Sequence, residues 1–275
     1  MIPTFNAGTE TGGATQVRPA DVWRVAEDAR EFLNGAAAEL AAVKRELDML
    51  LNVSADDAIL DVGCGTGADV LALAAKVGPA GRVVGIDSSE QLIAQARATS
   101  PGLPVEFHQG NAGELPFADG TFDAVRSERV IEHVPDPSRA LSEMLRVLKP
   151  GGRLLVCDPD HGMWALDMTD RRLTRRIFGW WSDYVPNPWV ARQFPGLLRA
   201  VGAADVSVVP YPVALTSLRA ADALTWIGRA AATAAAQGII TADEAQAWGT
   251  ELTQRDAEGR FLLLGVFVAV TATKR

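Results

Sequence analysis

A doubly wound α/β fold, a mostly parallel sheet with helices on both faces, is predicted by three observations. Short β-rich runs alternate with amphipathic helical stretches through the middle of the chain. The first of these runs passes straight into a glycine-rich turn. And 275 residues, 48% apolar and 22% charged, are enough to enclose a sizeable core, which excludes disordered, collagenous and disulfide-miniprotein classes. Residues 1–18, rich in Gly and Thr without apolar periodicity, read as a flexible or partner-ordered tail. Over 19–52, Val22, Val25, Ala29, Phe32 and then Leu40, Val43, Leu47, Leu50 recur at helical spacing, predicting two helices interrupted near Asn34-Gly35.

The sheet-forming core is expected over 53–159. Its strands are predicted at 58–62, 82–86, 105–109, 122–127 and 152–157, with helices at 68–77, 90–98 and 137–148. Lys149-Pro150-Gly151-Gly152 stops the last of these helices. The stretch 160–188 shows neither strand nor clear amphipathic period. It and its border carry Trp164, Phe178, Trp180, Trp181, Tyr184 and Trp189, so it reads as an inserted helical and aromatic lid. The core then resumes over 189–275, with helices at 188–201, 217–236 and 242–256, a strand at 206–209 and a last strand at 261–271.

Charge and cysteine usage narrow the function. With 26 basic and 34 acidic residues the net charge is −8, the wrong sign for a surface that tracks phosphates, so no nucleic-acid partner is expected. Cys64 and Cys157 show no CxxC or Cys/His spacing, which predicts neither a metal site nor a disulfide framework and fits a reducing cytoplasm. The start lacks the charged and apolar regions of a secretory signal. The most apolar run, 261–272, falls short of the roughly 20 residues that span a bilayer, so no membrane span is expected.

The chemistry is concentrated in Ile59-Leu60-Asp61-Val62-Gly63-Cys64-Gly65-Thr66-Gly67, a buried strand entering a turn before a helix. Glycines there let the backbone turn sharply and a ligand approach without Cβ interference. Gly63, Gly65 and Ala68 also satisfy the dinucleotide pattern, so the spacing alone does not select a cofactor. Asp61 favours a ligand with a cationic group, because a carboxylate at this strand end does nothing for a pyrophosphate. Asp87 ends the next strand about 20 positions further on, where a carboxylate accepts from ribose hydroxyls. Asn111-Ala112, after the third strand, would face adenine. The competing roles are a helix N-cap for Asp61, a solvated turn for Asp87, an Asx-turn for Asn111 and a small turn-filling side chain for Cys64.

With ILDVGCGTG at 59–67, VVGIDSS at 83–89, NAGELPFADGTFDAV at 111–125 and LKPGGRLLV at 148–156, the chain resembles class I S-adenosylmethionine-dependent methyltransferases. The likeness is to the small-molecule branch related to ubiquinone and menaquinone biosynthesis and natural-product enzymes, and it covers about 50–160. It implies a Rossmann-like seven-stranded sheet with an antiparallel last strand, and S-adenosylmethionine as cofactor. It places Asp61, Gly63, Cys64, Gly65 and Gly67 at the methionine part, Asp87 with Ser88 at the ribose, and Asn111 with Ala112 at the adenine. Many members carry Asp where this chain has Asn111.

A methyl acceptor should meet the segments after the fourth and fifth strands, 128–133 and 158–161. His133 is the first candidate base, since imidazole titrates near neutrality, and His161 is a further acceptor-facing candidate. In natural-product sugar O-methyltransferases that this chain resembles, a histidine and an acid at the positions of His133 and Asp158 form the catalytic pair. His133 equally reads as a residue that merely begins a helix. Glu128 would bear on the cofactor or pair with Arg126 or Arg129. Arg171, Arg172, Arg175 and Arg176, at helical spacing, meet an anionic group or form a solvated face. The expected activity is methyl transfer to a small, largely apolar secondary-metabolite or quinone-like acceptor, oxygen favoured over carbon or nitrogen. A non-methylating reaction such as cyclisation and a non-catalytic binding subunit are the alternatives, and helix packing or a homodimer contact is the other use of the aromatic segment.

Overall fold

In a computed structural model, which describes residues 35, 36, 39–100 and 103–275, the chain builds one eight-stranded sheet. The expected tail and the first of the two N-terminal helices lie outside the described residues. The helix α1 (Ala41–Leu51) is followed by β1 (Ala58–Val62), α2 (Ala68–Val77), β2 (Arg82–Asp87), α3 (Glu90–Thr99), β3 (Val105–Gln109), β4 (Phe122–Glu128), α4 (Pro137–Val147) and β5 (Leu148–Pro159). Next come a two-residue strand β6 (Ala165–Leu166), α5 (Arg171–Asp183), α6 (Val190–Ala200), β7 (Ala204–Leu215), α7 (Leu218–Thr225), α8 (Ile227–Ala236), α9 (Ala242–Ala257) and β8 (Leu263–Thr273).

The strand order is β3-β2-β1-β4-β5-β8, with β6 and β7 both paired to β8. β1 to β5 are parallel and β8 runs antiparallel to β5, as the resemblance implies; the eighth strand is the short β6. Alternation along each strand sends neighbours to opposite faces. Ile59 thus lies in the cluster with α1, α2, α5 and α7 to α9, while Leu60 lies with α4 and α6. β1, apolar except at Asp61, is buried on both sides, which is why it reads as a nearly continuous hydrophobic run.

Two expectations need correcting, and one gains its detail. The helical part of the insert 160–188 is α5, which buries Leu173, Thr174 and Ile177 on one side and is capped by Asp170 accepting from Arg172 and Leu173 N–H at 2.9 Å each. Its aromatic residues fall on the partly buried side and blur the apolar period. The helix expected over 217–236 is broken at Trp226, whose φ of 55° ends α7 in the left-handed region before α8 begins. Finally, β5 starts at Leu148 and runs through Pro150-Gly151, because this stretch is a sheet-edge bend in which Gly151 N–H donates to Lys274 O at 2.9 Å.

Candidate active site

The carboxyl ends of β1, β2, β4 and β5 meet in one region, where a doubly wound sheet binds ligands. Gly63, Gly65 and Gly67 adopt φ of 78°, 53° and 83°, a region strained for side-chain-bearing residues. The space is closed as well: a Cβ on Gly63 would lie 2.1 Å from Val130 Cγ2, and one on Gly67 2.7 Å from the Phe107 ring. Gly63 and Cys64 N–H donate to Ile86 O at 2.7 and 3.1 Å, tying the turn to β2. Cys64 is buried against Gly85, and burial pushes its thiol far above the usual range. It fills the turn.

Asp87 closes the loop from the other side. Its Oδ2 accepts from Gly65 N–H and its Oδ1 from Ser89 N–H, each at 2.9 Å. The Ser88 N–H also bears on this carboxylate, which has about four lone-pair sites and so keeps capacity for a hydroxyl donor. Ser88 lies beside it, its carbonyl accepting from Gln109 Nε2 at 3.4 Å. Asn111 forms the Asx-turn, with Oδ1 accepting from Gly113 N–H at 2.8 Å, and Ala112 packs partly buried next to it. The Asn111 amide nitrogen is not used in that turn.

Asp61 is 3% exposed and paired with Arg126 Nε at 3.4 Å. The residue capping α2 is Gly67, so the N-cap role for Asp61 falls away. Arg126, itself 2% exposed, is shared among Asp61, Glu128 at 2.6 Å, Asp48 at 3.3 Å and Asp69 at 3.6 Å. One guanidinium divided four ways compensates Asp61 poorly: burial pushes its carboxyl up to about 7, against the pull of Arg126. Glu128 pairs with Arg126 and with Lys44 at 3.0 Å, while Arg129 Nε stands 4.0 Å away. Lys44 and Asp48 belong to α1, so the N-terminal helix reaches into this network. The geometry fits a ligand that brings a cation to Asp61 and hydroxyls to Asp87 over a turn with no Cβ atoms. S-adenosylmethionine, with its ammonium, sulfonium and ribose, has that donor set.

The chain then bends through Arg129, whose φ of 57° is a strained conformation of order 1 kcal/mol, into a short 3₁₀ turn at Ile131–His133. Glu132, 4% exposed, lies between two histidines: Oε1 is 3.4 Å from His133 Nε2, and Oε2 contacts His161 Nε2. Although burial works to raise it, the two imidazoles hold the Glu132 carboxyl below its usual range. Burial pushes His133 below the ordinary imidazole value. His161 opens a second 3₁₀ turn after β5, with its ring edge against Trp181 at 5.3 Å.

Asp158 is placed differently from its expected partnership. It is completely buried, and its two oxygens accept from Val130 N–H at 2.9 Å and Glu132 N–H at 3.0 Å. Burial, then the Glu132 charge, pushes this carboxyl well up. The structure therefore brings His133 and His161 together around Glu132, with Asp158 behind the turn that carries them. Asp69 and Lys44 escaped the sequence reading, which names Arg126 only as a partner of Glu128 and Glu132 only as one residue of the segment 128–133. A charged residue at a buried strand position was the available signal for Arg126; nothing local marks Glu132.

Beyond His161, Trp164 stacks over Gly265, where a Cβ would meet the indole at 2.2 Å, and its ring packs with Trp181 and Phe267 at 6.2 and 6.4 Å. Phe178 adds an edge contact to Trp181 at 5.9 Å. Trp189 is 49% exposed and stacks on Arg192. Arg171, Arg172 and Arg175 lie on the exposed face of α5, and Arg176 bonds Glu244 at 2.7 Å. Shallow depressions along α9, lined by Asp243, Gln246, Thr250 and Gln254, contain none of the residues singled out above.

A methyltransferase-domain family model matches residues 54–184. A demethylmenaquinone methyltransferase of Geobacillus stearothermophilus is 34% identical over 193 residues, 64% of this chain and 82% of that protein. An uncharacterized 37.1 kDa protein in transposon TN4556 of Streptomyces fradiae is 38% identical over 200 residues; they make up 72% of this chain but 58% of the relative, so the chain spans little more than half of it. Among solved structures, the cyclase SpnF superposes with a TM-score of 0.52 at 26% identity, covering 85% of this chain and 81% of SpnF. No helix among the described residues is long and apolar enough to cross a membrane.

Proposed function

Because this chain belongs to the class I S-adenosylmethionine-dependent methyltransferases, we propose that it carries the methyl group to an oxygen of a small, largely apolar metabolite of secondary-metabolite or quinone type. The observation that carries this reading is the joining of two histidines through one buried carboxylate directly beneath an aromatic insert. The aromatic rings beside it offer flat apolar area, which suits a ring system, and an imidazole next to them removes a hydroxyl proton. The name of the Geobacillus relative supports a quinone-type acceptor.

The sulfonium supplies an already electrophilic methyl, so the protein's task is alignment. In this reading Asp61 receives the ammonium, Asp87 with Ser88 the ribose hydroxyls, and Asn111 with Ala112 flank the adenine. Gly63, Gly65 and Gly67 keep the floor free of side chains, and Cys64 fills behind them. Glu128 sets Arg126 and, through Lys44, α1. His133 and His161 face the acceptor; Asp158 fixes the turn before them. Two free, buried cysteines support a reducing cytoplasm as the place of reaction.

The test is incubation of the purified chain with S-adenosylmethionine and a panel of phenols and naphthols, read by product mass. A gain of one methylene equivalent on oxygen is expected. A mass-neutral rearrangement instead would favour cyclisation, the second reading, to which the likeness to SpnF lends support.

A further inference from the structure

We propose that His161 is the base of this reaction, that its Nδ1 is the atom that takes the acceptor's proton, and that Glu132 is the positioning residue that makes it so. The inference rests on the reading of O-methylation above and deepens it.

The tautomer follows from the contacts. His161 Nε2 faces Glu132 Oε2. An ionised carboxylate can only accept, so in the neutral ring Nε2 carries the hydrogen and Nδ1 is left with a lone pair. Against the pull of burial, the Glu132 carboxyl lies below its usual range, and the His161 contact and the nearby Arg129 both favour the carboxylate. Nδ1 is buried and has no hydrogen-bond partner, on a side chain only 9% exposed. Leaving such an atom unpaired costs about 1–3 kcal/mol, and a site that tolerates the cost is built for a donor that arrives from outside. Trp164 Nε1, on the indole packed against Trp181, is a second buried polar atom with no partner.

His161 is also the more firmly held of the two rings. Its backbone N–H donates to Pro188 O at 3.0 Å, and Asn187 in the same segment binds the Glu132 turn, donating from its backbone N–H to Glu132 O at 2.9 Å and from Nδ2 to Val134 O at 2.7 Å. Asp158 holds that turn from below. The neighbouring Asp160 is neutralised by Arg192 and does not compete for the ring. His133 touches Glu132 at the longer distance of 3.4 Å and is 24% exposed.

In the step, the acceptor O–H bond breaks toward His161 Nδ1 while the new O–CH3 bond forms and the carbon–sulfur pair returns to sulfur. His161 ends as an imidazolium balanced by the Glu132 carboxylate, and the proton leaves to solvent.

The experiment has two arms on the full chain. Nitrogen NMR of histidine-labelled protein should show one neutral ring protonated at Nε2, lost in His161→Gln and altered in Glu132→Gln; a ring protonated at Nδ1 overturns the proposal whatever the substrate. With 2-naphthol as methyl acceptor, His161→Gln should lower kcat about 10²- to 10⁴-fold and Glu132→Gln about 10- to 100-fold, both with cofactor affinity and folding retained. A larger loss in His133→Gln than in His161→Gln also overturns it. Should the parent protein methylate no phenol or naphthol, the O-methylation reading fails, while the tautomer still decides the assignment of His161.

Discussion

The two ends of the site are made in different ways. At the β1–β2 end, function is written into backbone conformation: three left-handed glycines, two strand-end carboxylates, and amide contacts between residues close in register. At the β4–β5 end it depends on side chains distant in sequence, Glu132 with His161 and Trp164 with Gly265. A backbone-built site fails abruptly when a single atom is added. A side-chain-built site degrades by degrees, since its neighbours can repack.

The sharpest way to test that contrast is Gly63→Ala. The added Cβ meets Val130 at 2.1 Å in a backbone already at φ 78°, so both strain and overlap apply. Loss of about 3 kcal/mol or more of stability is expected, with cofactor affinity beyond calorimetric detection. Because the clash is with a side chain, adding Val130→Ala should recover part of the melting temperature. Full affinity in the single variant would show that the turn has more freedom than its dihedrals imply.

Asp158→Asn sits at the other end and should cost about 1–3 kcal/mol, since the amide keeps one accepting oxygen and its nitrogen, a donor, faces either the Val130 or the Glu132 N–H. The predicted signature is a lowered melting temperature together with a reduced kcat at nearly unchanged cofactor affinity, because the turn carries Glu132 and not the cofactor loop. An equal loss of cofactor affinity would erase the distinction between the two ends.

This division also explains what the sequence reveals. β1, α2 and β3 are readable to the residue because short apolar runs, helical periodicity and glycine punctuation are local signals, and Asp61 and Asp87 are readable because strand ends are. The break at Trp226 and the start of β5 are set by neighbours: Lys274 pairing with Gly151, and a left-handed bend between two Ala-rich helices. Glu132 looks like any acid at a helix start until β5 brings His161 beside it. His133 and His161 can each be nominated from type and place, but which ring has a committed tautomer depends on a contact spanning both turns.

A gentler perturbation is the titration of Asp61. Its carboxyl is pushed up to about 7 by burial, and an arriving ammonium favours its ionised form. Binding therefore releases a proton near and below neutrality. Cofactor affinity should rise with pH through 7 and level off above it, falling by up to about tenfold per unit below. Asp61→Asn should flatten this dependence and weaken binding about tenfold at pH 8, both readable by calorimetry in buffers of different ionisation enthalpy. A flat profile in the parent protein would mean that the Arg126 pair, rather than the ligand, already satisfies Asp61.

The smallest effect belongs to the outer face of α5. Arg171, Arg172 and Arg175 are exposed, and the helix is held by Leu173 and Ile177 below and by its Asp170 cap. Replacing Arg171 and Arg175 with Gln keeps helix propensity and removes charge only, so stability should stay within about 0.5 kcal/mol. For a neutral ring acceptor KM should not move, and its insensitivity to added salt should persist, because no ionic contact forms across that face. A rise in KM for the double variant, steepest at low salt, would instead mean that the acceptor carries an anion reaching past Trp181 to these arginines. That would break the comparison from its outer edge, by adding long-range charge to an end otherwise built from rings and one bridged imidazole.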